Sequence, residues 1–275
     1  MIALANSVGE GWSAGLRLGF EKRPERTVLA ARRRHGPLLV QRPFYPEGGV
    51  CHAYLLHPPG GVVAGDRLAI EIEVGADAQV LATTPAAGKF YRSEGATAHQ
   101  TVSLSVNSGA VLEWLPQENI FYEGSCVATE TWVNLSAGAG FIGWEGFCLG
   151  RPAAGEGFER GRVGLGCALR LEGEPLLVER FELNREALAA IWGLRGNPCG
   201  AALYAYPATQ DLVERVRGLV GDKDGFGATL VDGVLVCRGW GRRMAPLRHL
   251  FMEIWSEIRP DIVGRPACPP RIWAT

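Results

Sequence analysis

Apolar and polar residues alternate with a period of two over much of the first two thirds of the chain. Leu68, Ile70, Ile72 and Val74 alternate with Ala69, Glu71 and Glu73, and the run meets Gly75. Val102, Leu104 and Val106 alternate with Ser103 and Ser105 and meet Asn107-Ser108-Gly109. Val133-Asn134-Leu135 precedes Ala137-Gly138, and Cys167 to Leu171 precedes Glu172-Gly173-Glu174-Pro175, which predicts a hairpin turn. Such runs, bounded by turn residues, predict strands with one buried face. The pattern also repeats weakly. Ala78-Gln79-Val80-Leu81 recurs 31 residues later as Gly109-Ala110-Val111-Leu112, and about 30 further on as Ala139-Gly140-Phe141-Ile142. Each copy joins an alternating strand, a small-residue turn and a fully apolar strand. The expected fold is therefore mainly β, with stacked antiparallel β-hairpins in a solenoid- or sandwich-like arrangement.

The last third changes period. Leu212, Val213, Val216, Leu219 and Val220 follow helical spacing, from Thr209-Gln210-Asp211 to Gly221. Leu247, Leu250, Phe251, Ile254, Trp255 and Ile258 form a second stripe, expected to end at Pro260. Asn184 is placed to cap a shorter helix through Trp192. This predicts two or three helices in the C-terminal third. No long linker interrupts the chain, so residues 1–275 read as a single domain, with a β-rich part over 1–183 and a helix-bearing part over 184–275.

Composition narrows the function. Hydrophobic residues make up 47% of the 275 residues, enough for a sizeable core. The formal net charge of −1 gives no electrostatic footprint for nucleic acid or for an anionic membrane surface. Arg32-Arg33-Arg34 is the one basic run, readable as a solvated strand end or as a partner-binding patch. The seven cysteines are scattered with no Cys-x-x-Cys, as in a reducing compartment. The first 25 residues lack a continuous apolar stretch, and no run of 18 apolar residues occurs, so a cytoplasmic location is expected.

The chemistry-bearing residues are carboxylates. Asp66, Glu113, Glu145 and Glu179 stand in segments that read as apolar β-structure on both sides. A buried carboxylate is costly unless it is paired, hydrated or given a cation to handle. Arg92, Arg151 and Arg180 lie in or near the same segments as candidate ion-pair partners. Gly65-Asp66 is also turn chemistry, and Glu179 on a regular strand shares an inward face with Leu177, Phe181 and Leu183. No phosphate loop, dinucleotide fingerprint, nucleophile elbow or His-Glu-x-x-His occurs. His52 and His57 have odd spacing and face opposite sides of a regular strand, so they read as structural beside Pro58-Pro59-Gly60. A glycan-active enzyme or glycan-binding protein is the rival reading, with Glu113 and Glu118 as paired carboxylates, acid and base in the enzyme, and some of the eight tryptophans stacking sugars.

Several segments taken in order resemble the urease accessory protein D family. They are 36–47, His57-Pro58-Pro59-Gly60-Gly61 through Gly65-Asp66, Thr83 through Ser93, Leu112-Glu113-Trp114-Leu115-Pro116 through Tyr122, Cys148-Leu149-Gly150-Arg151, and Leu177-Val178-Glu179-Arg180. They span residues 12 to about 184, and the resemblance thins beyond. It implies a mostly antiparallel β stack with a few helices, and a non-catalytic scaffold in nickel delivery to urease. The implied partners are the urease apoprotein, accessory protein F, and through F the GTPase accessory protein G. The helix carrying Leu247 to Ile258 is a candidate contact for F, though a core role explains its stripe as well. No tightly bound cofactor is implied, with nickel in transit. The resemblance further implies a water-filled passage lined by Asp66, Ser93, Glu145 and Glu179. Sparse carboxylates suit such a role, because a conduit must hold an ion weakly enough to release it.

Overall fold

The computed structural model describes residues 11–274. The reading of the first 25 residues therefore lies partly outside the described residues, over 1–10. The chain opens with the antiparallel pair β1 (Ser13–Lys22) and β2 (Thr27–His35), then β3 (Leu39–Val40) and β4 (Cys51–Leu56). Three similar coils follow. The first holds β5 (Arg67–Val74), β6 (Gln79–Thr83) and β7 (Gly88–Phe90). The second holds β8 (Ala98–Val106), β9 (Val111–Trp114) and β10 (Asn119–Phe121). The third holds β11 (Cys126–Leu135) and β12 (Gly140–Leu149), whose two ends pair with β9 and β10 in turn. The hairpin β13 (Arg162–Leu171) and β14 (Glu174–Leu183) ends the stack. The C-terminal part runs α1 (Arg185–Ala189), β15 (Cys199–Tyr206), α2 (Gln210–Val220), β16 (Phe226–Val231), β17 (Val234–Gly241) and α3 (Met244–Val263).

The solenoid-like stack is present, but its coils pair in parallel rather than as antiparallel hairpins. β1, β5, β8, β11 and β13 form successive parallel pairs in a seven-stranded sheet, edged by β2 and β14. β4, β6, β9 and β12 do the same in a second sheet, which β15, β17 and β16 extend antiparallel. Strands joined by a short turn, such as β5 and β6, lie in opposite sheets. The turn is a corner between sheets, and alternation in sequence cannot distinguish a corner from a hairpin.

The corners are alike in their bonding. Ala78, Ala110 and Ala139 each donate an N–H to the carbonyl three residues back, at 3.0–3.1 Å. The residue before each alanine has a positive φ: Asp77, Gly109 and Gly138. At the fourth turn both Glu172 and Gly173 have positive φ. Two such residues match the twist of a hairpin, so β14 folds back on β13 as the turn residues predict.

The inward residues of both sheets, such as Leu68, Ile70, Ile72, Leu104 and Phe141, make one core between them. A second core lies on the far face of the larger sheet, under α2 and α3. Thr209 caps α2 by accepting from the Leu212 N–H, and Gly221 ends it, as expected. Asn184 caps α1, which stops at Ala189, short of the expected Trp192. α3 continues through Pro260 to Val263 instead of stopping there. Proline removes one helical bond, and burial of Ile258, Ile262 and Val263 holds the last turn in place. The α3 stripe from Leu247 to Ile258 is buried against the sheet, which assigns it to the core and not to a docking face.

Candidate functional site

Two rows of side chains face each other across the inter-sheet core. On the smaller sheet, Thr131, Cys167 and Glu179 are register neighbours on β11, β13 and β14. On the larger sheet, Glu145, Ala202 and Arg238 are register neighbours on β12, β15 and β17, with Tyr204 nearby on β15. The period-two pleat puts each of these on the inner face. Thr131 donates its hydroxyl to Glu145 Oε1. Tyr204 donates to Glu179 Oε2 at 2.8 Å, and the Arg238 guanidinium pairs with Glu179 Oε1. Glu179 points inward as its strand phase predicts, whereas Phe181 is exposed on the β14 edge.

Glu145 lines a cavity of about 290 Å³ between the sheets, with His57, Gln100, Gln117 and Asn119 among its polar walls. That volume holds several waters, each needing about 30 Å³. Burial raises the Glu145 pKa, and the Thr131 bond opposes this. Thr131 also lines a second space of about 10 Å³ with Cys167 and Glu179, barely room for one water. Thr131 thus bonds the carboxylate that lines the roomy cavity, and Cys167 separates it from Glu179 along the smaller sheet.

Asp66 and Ser93 lie elsewhere. Asp66 is fully buried in the turn before β5, where its carboxylate accepts the Val63 N–H at 2.9 Å and the Trp12 N–H at 3.2 Å. Ser93 closes a tight turn, donating to the Ala96 carbonyl and accepting from the Gly95 N–H. Neither lines the cavity that Glu145 and His57 share. The structure thus brings Glu145 and Glu179 into one polar seam and leaves Asp66 and Ser93 in loops.

Glu113 belongs to a different cluster. It takes a bidentate bond from Arg259 at 2.9 and 3.0 Å and a third from Trp255 at 2.7 Å. Arg259 also holds both oxygens of Glu47, and Glu47 Oε1 accepts a further bond from His52 Nε2 at 2.7 Å. Burial works against the Arg259 charge, but the bonds from Glu113 and Glu47 outweigh it and raise its pKa. Glu113 is a structural ion pair, as one sequence reading had it, with Arg259 rather than a nearby arginine as its partner. A carboxylate so enclosed cannot serve as acid or base, and this removes the glycan-active reading.

Sequence reasoning takes His57 as structural and passes over Thr131, Cys167, Tyr204 and Arg238 as site residues. His57 stacks on Trp12 at 5.5 Å, and its Nε2 is buried without a hydrogen-bond partner. Burial lowers its pKa, opposed by the Asp66 charge, so the ring favours the neutral form that can coordinate a metal. Among the described residues no three His, Cys, Asp or Glu side chains converge on one point. The donors are isolated carboxylates, a hydroxyl and one imidazole, a set that holds a borderline divalent ion loosely.

The family model described as UreD urease accessory protein matches residues 13–274. The urease accessory protein UreD of Pseudomonas putida (strain W619) is 45% identical over 266 residues, 96% of this chain and 95% of that protein. Those of Alkalilimnicola ehrlichii and Aliivibrio fischeri (strain ES114) are 45% and 44% identical, each over 98% of this chain and over 94% and 99% of their own lengths. Near-complete coverage at this identity makes the chain a member of the UreD urease accessory protein family.

Proposed function

We propose that this chain is a scaffold for urease maturation and that nickel, as cargo, passes through the interior between its two sheets. Family membership supports the maturation role, which is that of a non-catalytic factor. It also supports partnership with urease components. Within that, we assign the urease apoprotein and accessory protein F as direct partners, and the GTPase accessory protein G as one reached through F. Among the described residues no helix is long and apolar enough to cross a membrane. The seven free cysteines suit a cytoplasmic place of action.

One observation carries the conduit reading: a cavity of about 290 Å³ between the sheets reaches the half-buried carboxylate of Glu145. A divalent cation arriving there favours the ionised carboxylate and displaces its proton. His57 offers a neutral donor on the same cavity wall. Beyond Glu145 the route narrows at Thr131 and meets Glu179, whose oxygens are held by Tyr204 and Arg238. Exchange of the Arg238 bond for the cation would make Glu179 the narrow point of the route. Asp66 and Ser93 spend their side-chain oxygens on bonds within their own loops.

Co-expression of urease with this chain and its F and G partners tests both levels. Glu145→Gln combined with Glu179→Gln is expected to lower urease nickel content while capture of F by the variant persists. Full nickel loading with the double variant sinks the conduit. Full urease activity with the chain deleted sinks the maturation role itself.

A further inference from the structure

Cys148 and Cys199 face each other across β12 and β15. They are register partners, and their sulfurs are 3.2 Å apart. The next pair along the ladder carries the backbone bond, with the Leu149 N–H donating to the Pro198 carbonyl at 2.8 Å. Hydrogen-bonded and non-hydrogen-bonded pairs alternate in an antiparallel ladder, so the two cysteines occupy a non-hydrogen-bonded position. There the α-carbons stand about 4.5 Å apart and the side chains lie close. A disulfide accepts α-carbon separations of about 4.4–6.8 Å, so it can form without a shift of either strand. Pro198 has no N–H to return to β12, which leaves this end of the ladder with one bond fewer.

The two thiols differ in access. Cys199 is buried, and Cys148 is half-buried at the end of β12. The Cys199 thiol donates toward Cys148 and lowers the Cys148 pKa, against burial and the Glu118 charge. The same contact raises the pKa of Cys199. The reachable sulfur is thus the better nucleophile, and a resolving thiol waits behind it.

We propose that Cys148 and Cys199 form an oxidation site at which a peroxide converts the dithiol to a cross-strand disulfide. The Cys148 thiolate attacks one peroxide oxygen, the O–O bond breaks, and the sulfenic acid forms with loss of hydroxide. Cys199 then attacks the sulfenic sulfur, the S–O bond breaks, and water leaves with the Cys199 proton. Two thiols and one hydrogen peroxide give one disulfide and two waters. In a reducing compartment the pair rests as thiols and returns to them by exchange with a small dithiol. Oxidation would tie β12 to β15 three residues along the strand from Glu145 and close a loop between positions 51 residues apart.

The test uses the full chain, reduced and then treated with hydrogen peroxide, with thiol tagging and peptide mapping by mass spectrometry. The expected result is loss of two of the seven thiols, both in an intramolecular Cys148–Cys199 link. Dithiothreitol restores them, and the oxidised form unfolds at a higher temperature than the reduced one. Cys199→Ser is expected to leave Cys148 as a sulfenic acid that dimedone traps. The mapping of the unaltered chain decides the matter even where that variant folds poorly. Both thiols free after treatment, or first oxidation at Cys126 or Cys268, overturns the proposal.

Discussion

Glu145 is an acid in a setting that disfavours its charge. Its raised pKa means that the folded chain holds the proton more tightly than the unfolded one. Stability from this group is full below the ordinary Glu value, about 4.3, and is lost as pH rises through the raised value. Glu145→Gln keeps the shape and can accept the Thr131 bond without ionising. It is expected to be more stable than the parent at neutral pH, with the gap closing as pH falls toward that value, as read by urea denaturation at several pH values. At this scale the sequence showed the carboxylates because Asp and Glu stand out in apolar strands. It hid their partners. Arg259 pairs with Glu113 from 146 residues away, and Arg238 pairs with Glu179 from β17, while the arginines nearer in sequence pair elsewhere or face solvent. Thr131, Cys167 and Tyr204 gave no signal, since a hydroxyl, thiol or phenol is ordinary in a strand. The odd spacing of His52 and His57 marks His57 as structural, whereas its place on the cavity wall comes only from the fold.

Each corner of the stack asks one residue for a left-handed backbone. Gly109→Ala combines that strain, about 1–2 kcal/mol, with a collision between the new methyl and the Asp77 carboxylate. At Gly138 the nearest atoms to such a methyl are 3.8 Å away, so Gly138→Ala carries the strain alone. Gly109→Ala is therefore expected to cost more stability, measured as a larger drop in the urea midpoint with an unchanged slope. Strand positions, corner residues and the limits of α2 were legible, because period and turn chemistry are local. The parallel pairing was not, since it depends on which sheet receives the strand after each corner. The passage of α3 through Pro260 was not legible either, because burial of the final turn outweighs the missing helical bond.

At the level of the whole molecule, three layers share two cores, and the larger sheet is common to both. The Arg259 side chain links the outer layer to the rest, joining α3 to Glu113 on β9 and to Glu47 in the loop before β4. Arg259→Leu leaves the buried Glu113 carboxylate without its cation and removes one partner of Glu47, and is expected to cost about 3–5 kcal/mol, measurable by urea denaturation. The loss is expected with Glu145 and Cys148 unaltered in chemistry, since neither touches this cluster. The Glu47–Arg259 bond spans 212 residues. On a ribosome that bond can close only when almost the whole chain has emerged. Until then the part of the larger sheet's outer face that α3 later roofs stands bare. Nascent chains that stall before Met244 should accordingly be captured by holding chaperones, and release should coincide with synthesis of the final helix.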